Sequence, residues 1–309
     1  MKRIALLTAC VALAATAGAQ RPAPFVIAET GEAFGDLDDA VRAIGNRQGT
    51  IRIAPGRYGD CAVQEAGIIA FVADQPGTAI FDGGTCEGKA TLVLRGRAAS
   101  VEGLTFTNIS VSDGNGAGIR IEEGDLDVVD SLFTDSQSGI LSAADPSSAI
   151  RIDRSTFRRL GKRPDGNGAH PVYIGYYGSL TVTNSRFEQG TGAHYLKSRA
   201  PIVQILNNSF DDSRGEQTNY HIDLSVGASG RIAGNTFVQG TDKENYATMI
   251  AVAPEGREHS SNGLVVENNR AWVSPGFRWS TVFVGDWSGE NPVVRNNELG
   301  DQISSYDRR

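Results

Sequence analysis

A phenylalanine recurs along the chain at a nearly constant interval, and this repeat limits the possible folds more than any other feature. It usually stands in the triplet [Ser/Asn]-x-Phe, after a run rich in valine and isoleucine. Successive copies are separated by 27, 24, 30, 23 and 27 residues. The copies are Phe106, Phe133, Phe157, Phe187, Phe210 and Phe237. Such a repeat indicates a solenoid, because a single coil cannot bury its own apolar side and must stack on its neighbours.

The strands of this solenoid are expected to be parallel. An antiparallel sandwich would need hairpin turns such as Asn-Gly between its strands, and these are few. In a parallel stack the phenylalanines would lie on one another inside the coils, and asparagines at a turn could pair through their amides. The 37 glycines fit many short strands joined by tight turns. We therefore predict an all-β chain, organised as a parallel β-helix.

Each coil also contains a second strand, upstream of the valine- and isoleucine-rich one. The aligned segments are GIRIEE (118–123), GILSAA (139–144), PVYIGY (171–176), YLKSRA (195–200), HIDLSV (221–226) and MIAVAP (249–254). Because side chains alternate along a strand, equivalent outward positions should stack into columns about 5 Å apart. The columns predict one outward surface formed by Tyr173, Tyr195, Lys197, Arg199, His221 and Asp223. The same alternation directs His170 and His194 inward, as a stacked polar pair at a turn, with the alternative that the turn swings their side chains out to the surface.

The N-terminal part carries a resemblance to a known family. The segment 34–45 is expected to form a short amphipathic helix, with Asp36 as its cap and Gly45 at its end. The strand GTIRIAPGRY (49–58) follows, and FDGG (81–84) comes after it. A helix, this strand with its Pro-Gly turn and the later Asp-Gly-Gly resemble the start of the pectate-lyase-like right-handed β-helix superfamily. The resemblance implies a single right-handed parallel β-helix with a short N-terminal capping helix.

The same resemblance suggests a chemistry for the outward surface. The superfamily's polysaccharide lyases use Lys and Arg on the exposed face of one parallel sheet to cleave uronate chains by β-elimination. This implies Lys197 as base and Arg199 as carboxylate clamp or acid, with weaker roles for Tyr173, Tyr195 and His221. The expected substrate contacts are Asp223, His194, His170 and Tyr177. A cationic field lowers the pKa of a lysine base, and a bidentate arginine suits a carboxylate.

The superfamily's lyases commonly use calcium. The sequence shows no cluster of outward acids near the patch, because Asp223 stands alone and Glu122 and Glu123 lie three coils away. No cofactor and no metal ligand are therefore predicted, and calcium remains an alternative.

Three other interpretations of the patch stay open. A solvated face would pair Lys197 with Asp223 across the coils. A glycoside hydrolase needs two carboxylates about 5–10 Å apart, and the outward columns near the patch offer only Asp223. A non-catalytic polysaccharide-binding or scaffold protein would use the tyrosines to contact sugar rings and the basic groups to contact carboxylates.

The chain begins with a predicted signal peptide, residues 1–19. Lys2 and Arg3 form its basic region, an apolar run follows, and small residues precede Gln20. Residues 20–309 then form one β-helix domain, secreted or periplasmic, with no membrane anchor. In an oxidising compartment Cys61 and Cys86 should form a disulfide. The formal net charge of −7 becomes two units more negative after cleavage, which argues against nucleic acid. We expect a monomer whose partner is an acidic polysaccharide bound in a locally basic groove.

Overall fold

The computed structural model describes residues 23–161 and 168–309. The predicted signal peptide and the middle of the insertion 160–169 lie outside the described residues. Within the described ranges the chain winds through three long sheets, which we name A, B and C, and each coil adds one strand to each sheet in turn. Apart from the antiparallel pairs at the N-terminus, the neighbouring strands of each sheet run parallel. The prediction of one parallel β-solenoid is confirmed.

The strands are numbered in chain order. Sheet A contains β1 (Phe25–Ile27), β2 (Ala33–Phe34), β3 (Gln48–Ile53), β6 (Ile68–Ala73), β9 (Ala98–Glu102), β12 (Asp125–Val129), β15 (Asp145–Asp153), β18 (Tyr177–Thr183), β21 (Ile202–Leu206), β24 (Ser229–Ala233), β27 (Leu264–Glu267) and β30 (Val293–Arg295). Sheet B contains β4 (Gly56–Tyr58), β7 (Ala79–Asp82), β10 (Leu104–Thr107), β13 (Leu132–Thr134), β16 (Thr156–Arg158), β19 (Arg186–Glu188), β22 (Ser209–Asp211), β25 (Thr236–Gln239), β28 (Arg270–Val273) and β31 (Glu298–Leu299). Sheet C contains β5 (Ala62–Gln64), β8 (Ala90–Leu94), β11 (Ala117–Ile121), β14 (Ser138–Ser142), β17 (Val172–Ile174), β20 (Leu196–Ser198), β23 (Ile222–Leu224), β26 (Thr248–Val252), β29 (Thr281–Asp286) and β32 (Ile303–Arg308).

One short helix covers the N-terminal end of the solenoid. Helix α1 (Leu37–Ile44) begins after Asp36, whose carboxylate accepts hydrogen bonds from two backbone N–H groups of the first turn, and ends at Gly45. Its buried face, which includes Leu37, Val41 and Ile44, packs against the first strands. Both the helix and its capping residues agree with the sequence prediction.

The recurring phenylalanines form a continuous stack along the inside of sheet B. Neighbouring rings from Phe81 to Phe237 lie 4.8–5.7 Å apart between centroids, within 19° of parallel, and each ring is almost fully buried. Each such contact contributes about 0.5–1.5 kcal/mol beyond the buried area. The interval of 23–30 residues is therefore the length of one coil, and it keeps every ring in register with the next.

Side-chain amides and hydroxyls pair at the turn between sheets A and B. Asn235 Oδ1 accepts hydrogen bonds from the backbone N–H and the side-chain amide of Asn208, and Asn269 Oδ1 does the same for Asn235. In earlier coils Ser131, Ser155 and Ser185 fill the same position. These bonds satisfy buried backbone donors that the turn would otherwise leave unpaired.

A disulfide between Cys61 and Cys86 joins the first two coils, with a Cα–Cα distance of 5.4 Å. This pairing agrees with the sequence prediction.

Candidate functional site

The outer face of sheet C carries the predicted column of side chains. The strands pair Leu141 with Tyr173, Tyr173 with Lys197, Lys197 with Asp223, and Asp223 with Ala251. The residues on either side of Tyr173, Lys197 and Asp223 are all buried, so the column faces out of the solenoid. The sequence alignment of these strands is therefore confirmed residue by residue.

The ammonium group of Lys197 lies between two carboxylates. Its Nζ is 3.2 Å from Asp223 Oδ2 and forms a close ion pair with Glu255 Oε1. The Lys197 side chain is only 8% exposed and that of Asp223 only 1%. The ion pair between Lys197 and Asp223 that the alternative of a solvated face included is present, but neither side chain is exposed to solvent as that alternative requires.

Arg199 connects the same cluster to two tyrosines. Its Nε donates a hydrogen bond to Tyr173 Oη at 2.9 Å, and its Nη2 forms an ion pair with Glu255 Oε2. The guanidinium carbon also lies 5.7 Å from the centre of the Tyr176 ring. The two oxygens of Glu255 are thus divided between Lys197 and Arg199, which together hold one carboxylate.

Glu255 belongs to the loop between β26 and β27, which folds back across the outer face of sheet C. The backbone N–H of Glu255 donates to Ser225 O, and those of Glu258 and His259 donate to Val226 O. Tyr176 Oη donates to Glu258 Oε1 at 3.1 Å. The contacts with Lys197 and Arg199 span more than fifty residues of sequence. Glu255 was not among the residues predicted from the sequence, although the length and the acidic residues of segment 254–263 were the available signal.

His259, the remaining histidine of the chain, also approaches the cluster. Its Nε2 lies 3.1 Å from Arg199 O, and its ring meets Tyr176 edge-on at 6.4 Å. This histidine fixes the loop against Arg199, the residue that follows β20.

His170 and His194 lie beside the column on the outside, and the prediction that they point inward is wrong. The two rings stack at 5.1 Å, and His194 stacks in turn on Tyr220 at 4.9 Å. His194 Nε2 is 3.4 Å from Asp223 Oδ2, and the His170 ring meets Tyr173 edge-on at 5.4 Å. The two histidines therefore form one border of the charged cluster.

Tyr195 and His221 point into the solenoid, and their predicted outward positions are wrong. Both side chains are almost fully buried, and their rings stack at 5.8 Å. His221 meets Phe210 and Phe237 edge-on. The chain bends at the residue before each of these strands, so two successive side chains face the core and the alternation fails there.

The inward position of Tyr195 has a polar partner. Tyr195 Oη donates to Asp212 Oδ1 at 2.7 Å, as does Thr218 Oγ1, and Lys243 Nζ lies 3.1 Å from Asp212 Oδ2. The side chains of Asp212 and Lys243 are fully buried. This interior network joins three coils and does not reach the outer face of sheet C.

Tyr177 is also a core residue, and its predicted contact with substrate is contradicted. It begins β18 in sheet A and is fully buried in the main apolar cluster. Burial raises the pKa of its phenol.

The charges of the outer cluster stabilise one another. Burial lowers the pKa of Lys197, but the carboxylates of Asp223 and Glu255 outweigh it, and the net shift is upward. Burial raises the pKa of Asp223 despite the nearby ammonium group. Burial also raises that of Glu255, but its bonds to Lys197 and Arg199 leave its pKa below the usual value. Lys197 is therefore held protonated, and the expectation that its pKa is lowered is wrong, because two carboxylates and not cations surround it. The pKa values of the two carboxylates are shifted in opposite directions.

His194 is held neutral. Burial lowers its pKa well below the usual value, and His170 and Lys197 contribute in the same direction. Because its Nδ1 accepts the backbone N–H of Tyr220, the ring proton lies on Nε2 and faces Asp223.

No group of three or more His, Cys, Asp or Glu side chains in the described parts of the chain is arranged to hold a metal ion. Within the same ranges no helix is long and apolar enough to cross a membrane.

The described residues form a β-solenoid with a cluster of charged side chains on the outer face of one of its three sheets. The model of the family described as "Right handed beta helix region" matches residues 92–299, which is most of the chain, and the protein belongs to that family. The resemblance to right-handed parallel β-helices is thereby confirmed. Comparison with curated proteins gives no match.

Three solved structures are similar over most of the chain. The pectin methylesterase from Aspergillus niger has a TM-score of 0.46 and 10% identity, covering 89% of this chain and 88% of that one. ORF18 of Geobacillus virus E2 has a TM-score of 0.47 and 11% identity, covering 88% of this chain and 56% of that one. The surface protein and adhesin PfbA of Streptococcus pneumoniae has a TM-score of 0.45 and 12% identity, covering 88% of this chain and 94% of that one.

Proposed function

We propose that the outer face of sheet C binds a uronate-containing polysaccharide and that the protein cleaves it by β-elimination. The observation that carries this proposal is the position of Glu255, whose two carboxylate oxygens are divided between Lys197 and Arg199. A carboxylate of the protein itself marks a place where a carboxylate is favoured. The uronate group of a ligand would displace the loop residue and bind Arg199, while Lys197, released from Glu255, would face the sugar ring as the base.

Binding of the uronate carboxylate also favours the elimination step. Neutralising the uronate carboxylate makes the neighbouring C5 proton more acidic, and a positioned arginine suits this role. The Tyr173 hydroxyl accepts a hydrogen bond from Arg199 and keeps its own proton free to donate. In the proposed step a base takes the C5 proton, the C4–C5 double bond forms, the C4–O4 bond breaks, and Tyr173 protonates O4.

Lys197 is the proposed base, and its surroundings make the reaction dependent on pH. The two carboxylates raise its pKa above the ordinary value of 10.5. Since only the neutral amine can accept a proton, we expect the elimination rate to increase with pH through the alkaline range. A rate that is independent of pH above neutrality would exclude Lys197 as the base.

The test is incubation with a panel of uronic-acid polysaccharides, followed by the ultraviolet absorbance of an unsaturated product. We expect Arg199→Ala and Lys197→Ala each to lower the rate at least a hundredfold, since a catalytic base typically contributes about 10²–10⁴-fold. Arg151→Ala is the matched control, because Arg151 is exposed on sheet A and forms its one ion pair within the described ranges with Asp127, at 3.4 Å. Full activity in Lys197→Ala would contradict the mechanism even if the substrate class is correct.

Glycoside hydrolysis is a second candidate, and the structure supplies a specific reason for it. Asp223 and Glu255 both contact the same Nζ, and their pKa values are shifted in opposite directions. Such a pair of carboxylates can divide the roles of general acid and nucleophile or base. New reducing ends without unsaturated product, abolished by Asp223→Asn, would identify this chemistry. Binding without either product would identify a non-catalytic glycan-binding protein.

The proposal includes export of the protein through the N-terminal signal. Secreted or periplasmic protein that begins at Gln20 would support it, and full-length protein retained in the cytoplasm would contradict it.

A further inference from the structure

A cavity of about 310 Å³ lies on the outer face of sheet C, next to the cluster that holds Glu255. Its lining includes Lys89, Asp113, Asn115, Arg120, Leu141 and Tyr173. This volume falls at the lower end of the range for small-ligand sites, about 300–1,000 Å³. The cavity is therefore large enough for a single sugar unit.

The floor of the cavity continues the column of the candidate site. Arg120 pairs with Leu141, and Leu141 pairs with Tyr173, in three successive coils. Leu141 faces out of the solenoid but is only 6% exposed, because it packs with Val93 and Ala117 in a small apolar cluster on this face. An apolar floor with polar groups around it is the usual composition of a small-ligand site.

Arg120, at one end of this floor, has few partners among the described residues. Its one charged contact is Glu122, at 3.5 Å from Nε, and its Nε makes no hydrogen bond although it is buried. Glu122 is already bonded to Lys89 at 3.0 Å and to Arg95 at 2.7 Å. An arginine has five N–H donors, and a buried donor without a partner is costly. The Arg120 guanidinium is thus available for an anion that enters the cavity.

We propose that this cavity is a second carboxylate subsite, which binds another uronate unit of the same acidic chain through Arg120. The inference rests on the proposed function and specifies its ligand. Arg120 and Lys197 are three coils apart, a separation of about 14 Å at roughly 4.8 Å per strand. The ligand is therefore an oligomer with at least two carboxylates, and Tyr173 lies between them, lining the cavity and contacting Arg199.

The experiment is calorimetric titration with uronic-acid oligosaccharides from the monomer to the hexamer. For the wild-type protein we expect affinity to increase once the oligomer can reach both subsites. Arg120→Ala should lower the affinity for long oligomers about tenfold or more, the range of a charge-assisted hydrogen bond, and leave the monomer unaffected. Arg151→Ala is again the control for the loss of an outward arginine. An unchanged thermal midpoint of Arg120→Ala would show that the fold is intact.

The outcomes separate this inference from the proposed function. Affinity that depends on Arg199 but not on Arg120 would overturn the second subsite and support the first. Dependence on Arg120 without dependence on Arg199 would overturn the proposed carboxylate site and retain the cavity. If no acidic oligosaccharide binds, both are overturned.

Discussion

Glu255 occupies the position where a carboxylate of the ligand is expected. In the wild-type protein Glu255 forms ion pairs with Lys197 and Arg199. Replacing it with glutamine removes one negative charge and releases N–H donors of both cations. We expect Glu255→Gln to raise the affinity for acidic oligosaccharides about tenfold, which corresponds to roughly 1.4 kcal/mol. The measurement is calorimetric titration.

Glu258→Gln is the matched control for this prediction. Glu258 lies in the same loop and accepts a hydrogen bond from Tyr176, so its replacement should leave the affinity nearly unchanged. Weaker binding by Glu255→Gln, or the loss of all turnover, would indicate that Glu255 acts directly on the ligand.

From the buried position of His221 we predict that the free energy of unfolding decreases in acid. Burial, together with the charge of Lys243, lowers the pKa of His221 to about 4, against 6.5 for a free histidine. Between these two values the unfolded chain binds a proton that the folded chain does not, so the free energy of unfolding decreases as the pH falls through this window. At pH 4 the loss is roughly 3 kcal/mol relative to neutral pH.

The variant His221→Phe tests this dependence. Phenylalanine suits a position next to Phe210 and Phe237, and it cannot bind the proton. Urea unfolding between pH 4 and 7 should therefore show a shallower loss of stability than in the wild-type protein. A slope equal to that of the wild-type protein would assign the acid sensitivity to other groups, among them His194.

At the scale of the elements, the hydrogen-bonded row of Asn208, Asn235 and Asn269, which we call the asparagine ladder, predicts where the coils are most sensitive to substitution. Asn235 Oδ1 accepts two hydrogen bonds from Asn208, and its own amide donates to Ile205 O and Asn269 Oδ1. Asn235→Ala leaves buried donors without partners, at a cost of about 1–3 kcal/mol for each group. We expect a loss of roughly 3 kcal/mol in the free energy of unfolding, measured with urea. Asn46→Ala, at an exposed site, should cost far less.

The strands and their register follow from the local sequence. The direction of the side chains at the corners, inward or outward, does not follow from it. Alternation along strands such as β20 and β23 places Lys197 and Asp223 correctly, because each strand imposes its own period of two. Tyr195 and His221 lie where the chain bends into these strands, so counting positions back from the strand assigns them to the wrong side. A repeat records the length of a coil but not the angle of its turns.

The candidate site could be predicted only in part, for a related reason. Lys197, Arg199 and Tyr173 come from neighbouring coils and were found through the repeat. Glu255 reaches them from a loop whose path over sheet C is set by contacts with Val226 and by the bond between His259 and Arg199. No sequence period describes such a path.

For the whole molecule, nearest-neighbour stacking predicts that a substitution destabilises the coils around it and not the distant ones. The disulfide between Cys61 and Cys86 closes a loop of about 25 residues, and its loss should destabilise the coils it joins by about 3 kcal/mol. In a solenoid each coil contacts mainly the next, so the effect should decrease with distance along the stack. Hydrogen exchange of Cys61→Ser/Cys86→Ser should accelerate at β5 to β8 and stay unchanged at β20 and β23. Uniform acceleration along the chain would show that the solenoid unfolds as one cooperative unit.

The loop that carries Glu255 leaves the solenoid between two strands whose pairing with their neighbours it does not disturb. The length of such a corner can change while the interior stays the same. The stacked phenylalanine rings and the asparagine ladder fix the register of the strands, and neither depends on the length of the loop. New ligand specificity can therefore arise in this architecture by insertion at a single corner, without compensating changes in the core. The same independence makes the corner a suitable place to graft a recognition loop onto an unaltered scaffold.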